Sequence, residues 1–244
     1  MVGRILLVLV LLATWLVVLL PLKAVAILAG GADRLGYSDV FGTVWNGRVY
    51  GLEVNGDPVR EVAVSLRPLA LLTGRIAADW RIADEAVSGS GRAALAGRML
   101  ALDNVSLALP LSRLGGADVP GLDPQEAVFV RLPRLRLDGD ACVEAAGTVR
   151  TGALVTLAAA YGFEGPVITG ELSCRGGDLV LEFGGEEAGL SLSGEAVLRR
   201  SGYDWQVGAH TDRAELADIF ALAGLERDGD VWRAEGSSRY ALRN

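Results

Sequence analysis

The chain has 244 residues, 51% of them hydrophobic, with a formal net charge of -7 and a pI near 4.9. This length supports one sizeable core or an elongated sheet domain. The acidic balance argues against a nucleic-acid partner, because phosphate binding needs a cationic footprint that 23 basic residues against 30 acidic ones do not supply.

Met1-Val2-Gly3-Arg4 leads into an apolar run from Ile5 to Leu22 in which Thr14 is the one polar side chain. At 1.5 Å per residue the run spans roughly 27 Å, close to the thickness of a bilayer core. A buried globular helix would show polar positions at helical spacing, and none occur here. The run reads as an uncleaved signal anchor. The open alternative is a signal peptide processed within Ala24-Val25-Ala26 or Ala29-Gly30-Gly31-Ala32. Arg4 precedes the run and a large body follows it, although Lys23 stands on the far side. The expected arrangement is a cytoplasmic stub and transmembrane helix over 1–23, with an exported β-rich domain over 24–244.

Beyond Leu22 the sequence alternates at period two, as half-buried strands do. Ile76, Ala78, Trp80 and Ile82 alternate with Ala77, Asp79 and Arg81. Val105, Leu107, Leu109 and Leu111 alternate with Ser106, Ala108 and Pro110. Leu179, Leu181 and Phe183 share one side, as do Leu190, Leu192, Ala196 and Leu198 opposite Ser191, Ser193, Glu195 and Arg199. Turn signals stand between the runs at Asn55-Gly56, Asp138-Gly139, Gly176-Gly177, Gly184-Gly185, Ser201-Gly202 and Asp228-Gly229. The predicted fold is mainly β: an antiparallel, curved β-sheet meander following the N-terminal helix, with one or two short helices. Those helices are expected at Pro68–Leu72, closed by Gly74, and at Asp212–Leu225, where Leu216, Ile219 and Phe220 form a stripe that Gly224 ends.

The residues that carry chemistry are few. Cys142 and Cys174 read as a disulfide in an oxidising compartment, closing a loop worth roughly 3 to 4 kcal/mol, with two buried free thiols as the alternative. Two Cys and the single His210 are too few for a zinc site. His210 falls on the polar side of the strand that carries Trp205, Val207 and Ala209, and no Gly-x-Ser-x-Gly elbow accompanies it. Glu186-Glu187 read as part of a solvated turn after Phe183. No phosphate loop, dinucleotide fingerprint or calcium loop occurs, so no cofactor is expected and no nucleophile–base pair for a hydrolase can be named.

The most distinctive string is Gly42-Thr43-Val44-Trp45-Asn46-Gly47. Physically it reads as a strand start in which Trp45 covers one end of a sheet and Gly47 permits a bulge or close backbone approach. The functional alternative is a docking spot for a partner. Together with the N-terminal apolar run, with Pro68-Leu69-Ala70-Leu71-Leu72-Thr73-Gly74, and with the pair Cys142 and Gly170-Glu171-Leu172-Ser173-Cys174, this string resembles the type II secretion system protein N family. The Leu216–Gly224 stripe followed by an Asp-Gly turn and a last strand extends the resemblance over essentially the whole chain.

The resemblance implies a single-pass inner-membrane protein, held by residues 5–22, with its N-terminus cytoplasmic and its main domain periplasmic. It implies a non-enzymatic accessory part of the machinery that exports folded proteins across the outer membrane. Such a part touches other secretion subunits through sheet edges or exposed loops, with Gly42, Val44, Trp45 and Gly47 as motif residues at a possible contact. A weaker similarity is to AsmA-like lipid-transfer proteins, whose one-sided apolar strands would line a groove for lipid.

Overall fold

Backbone N–H and C=O groups removed from water need partners, and sequence alternating at period two meets that need in antiparallel ladders. The computed structural model describes residues 15, 18–28, 36–54, 57–114, 122–160, 162–199, 201–213, 216–217, 220–221 and 224–239. Among them lie fourteen strands, and the chain divides into two compact units, 1–96 and 97–244.

The first unit contains α1 (Leu22–Leu28), β1 (Asp39–Thr43), β2 (Asn46–Val54), β3 (Asp57–Leu66), α2 (Pro68–Leu71), β4 (Ile76–Ala83) and β5 (Ser88–Ala96). Each strand pairs antiparallel with the next. The register sets Val49 opposite Val40 and Val62, Val62 opposite Ile82, and Val64 opposite Trp80, so these side chains share one face. The other face carries charge. Arg48 pairs with Glu61 at 3.4 Å, and Asp79 sits between Arg67 at 2.7 Å and Arg92 at 3.1 Å. The hydrogen bond from Arg67, joined by that from Arg92 and by the charge of both, holds the Asp79 carboxyl below its ordinary pKa against the opposing effect of burial. One expectation changes at the start of β4: Ala77, on the predicted polar side, is buried, whereas Ile76 is 54% exposed. Ile76 opens β4 beyond the last β3 partner, Leu66–Ala78, so a strand neighbour, Leu95, flanks it on one side only.

The second unit contains β6 (Met99–Pro110), β7 (Ala127–Asp138), β8 (Ala141–Thr151), α3 (Ala153–Ala160), β9 (Ile168–Arg175), β10 (Asp178–Glu187), β11 (Leu190–Arg199), β12 (Gly202–Thr211), β13 (Glu226–Asp228) and β14 (Val231–Arg239). Strands β6 to β12 follow chain order; β14 then pairs with β12, and β13 lies outside it. Leu172, Leu181, Ala196 and Trp205 are cross-strand neighbours on an apolar face. The opposite face is laced with ion pairs. Arg175 bonds Glu182 and Glu195, and Arg199 bonds Asp178 and Asp204. Exposed pairs of this kind contribute little energy singly, but they sit where a one-residue slip would bury them.

Pro133 lies inside β7, between β6 and β8, where a residue without an N–H interrupts a ladder. The β7–β8 register shifts between Arg131 and Arg134, so the proline falls in a bulge, and a second shift between Arg136 and Leu137 restores the pairing.

Several sequence expectations are corrected. Gly184-Gly185 and Glu186-Glu187 are not a turn but the end of β10, paired with β11 up to Glu187–Leu190. The turn is Ala188-Gly189, with φ of 48° and 79°; an alanine in the left-handed region gives no sequence signal. Gly185 is required by packing, since a Cβ there would stand 2.6 Å from the Val167 carbonyl. Leu111 opens a 3-10 turn over Leu111–Leu114 instead of ending a strand. Helix α3 was not expected; the Thr151 hydroxyl accepts from the Ala153 N–H at its start, and Ala153 and Ala158 are buried.

Pro68–Leu71 is helical as predicted, with Gly74 at φ +69° closing it. In the 212–225 stretch, residues 216, 217, 220 and 221 are helical and Phe220 meets the Trp232 ring edge-to-face at 6.0 Å; Ile219 lies outside the described residues. Asn55-Gly56 also lies outside them, bracketed by the Val54–Asp57 pair. No helix among the described residues is long and apolar enough to cross a membrane, and most of the Ile5–Leu22 run lies outside them.

Glycines on the apolar face are covered by neighbouring rings. A Cβ at Gly194 would collide with the Phe183 ring and stand 2.6 Å from the Gln206 carbonyl, and one at Gly236 would stand 2.9 Å from the Trp205 indole. Gly194→Ala is expected to destabilise the protein by about 1–3 kcal/mol. Ser193→Ala on the polar face should stay within about 0.5 kcal/mol. Urea unfolding followed by tryptophan fluorescence compares the two.

Candidate functional site

The string Gly42-Thr43-Val44-Trp45-Asn46-Gly47 forms the tip of the β1–β2 hairpin. Thr43 pairs with Asn46, which leaves Val44 and Trp45 as a two-residue loop. Gly42 has φ +86°, and a Cβ there would strike the Asn46 carbonyl, so the tight return excludes other residues. Val44 is 1% exposed and Trp45 beside it is half-buried.

This tip receives the N-terminal segment. Trp15 and Val18 are helical, and the Leu19 N–H donates to the Trp15 carbonyl at 3.0 Å. The helix then stops. Proline cannot donate and disfavours a helical residue before it, so Leu20 and Pro21 run extended. Pro21 forms an antiparallel bridge with Thr43, and the Val44 N–H donates to the Leu20 carbonyl at 3.0 Å. The chain resumes as α1 at Leu22, whose side chain lies over Gly47; a Cβ at Gly47 would meet Leu22 and stand 2.8 Å from the Thr43 carbonyl. From the other side the Leu66 N–H donates to the Val44 carbonyl at 3.0 Å, and the Ser65 hydroxyl donates to the Trp45 carbonyl at 2.7 Å. Val44 is thus tied by its N–H to the N-terminal segment and by its carbonyl to β3.

Cys142 and Cys174 are joined, with Cα atoms 5.5 Å apart. The β8–β9 ladder runs only from Gly147–Leu172 to Thr151–Ile168, so the disulfide holds the two strands together where their hydrogen bonds have ended. The Cys142 N–H donates to the Gly177 carbonyl in the β9–β10 turn, which seats the link.

His210 is exposed and shares the polar face with Ser191. Its Nδ1 lies 2.8 Å from the Asp230 carbonyl and its Nε2 3.4 Å from the Asp212 carboxylate. The Asp230 carbonyl foremost, helped by Asp212, raises its pKa above the ordinary imidazole value. A concavity of about 1000 Å³ in the second unit lies over the polar face, lined by Glu182, Glu195, Glu226, Glu235 and Arg233 among others. No group of three or more potential metal ligands occurs among the described residues.

Gly47→Val is expected to push Leu22 off the hairpin and to speed amide hydrogen exchange at Val44 and Leu66, while exchange at Val180 stays unchanged. Removing the disulfide, by dithiothreitol or as C142S/C174S, is expected to cost about 2–5 kcal/mol in urea unfolding. Free-thiol titration before and after reduction checks the starting state.

No curated protein and no solved structure matches the chain. The type II secretion system protein N family matches it over residues 33–234, a stretch that holds the hairpin tip, α2, both cysteines and the last strand up to Ala234. With most of its length matched, the chain belongs to the type II secretion system protein N family.

Proposed function

We propose that the protein is a non-enzymatic accessory component of the type II secretion system, fixed in the inner membrane by the Ile5–Leu22 run with its β-rich body in the periplasm. The observation that carries this reading is the family match over residues 33–234. A disulfide-bonded sheet unit suits an oxidising compartment. The body acts by contact with other subunits of the system. Edge strand β1, where Phe41 is 58% exposed, offers such a contact beside the hairpin tip. No observation favours the AsmA-like lipid carrier.

Deleting the gene is expected to lower the exported proteins in the medium severalfold, with wild-type protein restoring them and Val44→Asp failing to. Unchanged secretion in the deletion strain overturns the assignment. The anchor is read separately: intact mass of the membrane-extracted protein should include residues 1–23, and a mass lacking them identifies a cleaved signal peptide.

A further inference from the structure

The first unit has two unlike ends. At one end lie the hairpin tip at Val44, the Leu20 carbonyl that its N–H engages, and Leu66 at the end of β3. Pro68 follows Leu66 by two residues, so α2 begins within about 7 Å of chain from this point. Around it the apolar side chains are bare: Leu69 is 76% exposed, Leu72 83% and Leu71 44%, with Ile76 and its cross-strand partner Leu95 beside them. Arg75 is exposed at the same end and makes no ion pair among the described residues. The opposite end is the β4–β5 turn, where Asp84 accepts from the Ala86 and Arg60 N–H groups and Glu85 pairs with the Arg60 guanidinium. A soluble surface seldom presents the two leucines of a short helix and a third at its C-cap to water, and their position tells what covers them. Leu20 belongs to the apolar run itself, so whatever surface that run leaves at its end is the surface α2 faces.

We infer that α2 is a membrane-contact foot: Leu69 and Leu72 dip into the lipid interface next to the anchor, and Arg75 lies at the level of the anionic headgroups. Buried leucine with a neighbouring cation is the pattern of interfacial segments, each cation near an anionic surface adding its own attraction. The acidic β4–β5 end is repelled by the same headgroups, which sets the strands of this unit across the membrane plane with Asp84 and Glu85 outermost. The inference rests on the anchor reading for its geometry, and its test separates the two.

The full chain is reconstituted in vesicles of phosphatidylethanolamine and phosphatidylglycerol. Its native cysteines stay oxidised, and one new cysteine carries an environment-sensitive fluorophore in L72C, A86C or V10C. Doxyl groups placed shallow in the acyl chain quench at position 72 at least twofold more than at position 86, and Leu69→Glu in the L72C background abolishes the difference. Equal, low quenching at 72 and 86 overturns the foot. A label at 72 shielded only when other secretion subunits are added overturns it in favour of a protein contact. Position 10 reports on the anchor alone: deep quenching there with none at 72 leaves the anchor standing and removes the foot. Quenching at 72 with none at 10 leaves the foot without the anchor.

Discussion

The protein depends on one constraint: the side chains of an antiparallel strand alternate strictly, so register alone decides which of them meet water. With no second sheet described to cover the apolar faces, nothing forgives a slip of one residue. Register is secured in two ways, the first in both units and the second in the second unit. On the polar face, ion pairs such as Arg48–Glu61 and the Arg199 bonds to Asp178 and Asp204 link neighbouring strands at fixed positions. On the apolar face of the second unit, Phe183 over Gly194 and Trp205 over Gly236 fit in one register only. The energies are small singly; their common direction is what specifies the fold.

This accounts for what could be read in the sequence and what could not. Where apolar residues repeat every second position, as at Leu179, Leu181 and Phe183, the strand was legible, but these three are half-buried and Val180, read as lying with Glu182 on the other side, is the one that is 2% exposed. The turn at Asp138-Gly139 was legible to within one residue: Asp138 closes the ladder with Ala141, and Gly139, at φ +59°, opens the loop. Gly184-Gly185 looked like a turn because glycine has two reasons to occur, positive φ and close packing, and sequence does not distinguish them. Ala188 carried the true turn under a residue that rarely adopts that conformation. Helix α3 was hidden because Ala153–Ala160 is apolar all round, without the stripe that announces a helix.

The candidate site was legible as a string and not as a place. Gly42 and Gly47 stood out, and close backbone approach at Gly47 was foreseen. That the approaching group is Leu22 depends on a contact between segments some 25 residues apart, which alternation cannot report. The burial of Val44 has the same origin: it comes from hydrogen bonds to Leu20 and Leu66, distant in sequence. The disulfide spans strands that pair elsewhere along their length, so the cysteines make a contact that the ladder alone would not have produced.

Pro21 has a consequence for encounter. A body on a flexible tether of n residues wanders over roughly 5–6 Å times the square root of n, sampling many heights and headings. Here the residue that ends the helical segment is itself bridged to Thr43, so there is no slack to sample. On the anchoring proposed above, that bridge holds the first unit close to the bilayer while it moves sideways. On that same proposal its partners are met in two dimensions, and modest affinity suffices for high occupancy, because confinement does the concentrating that a tight interface would otherwise have to do.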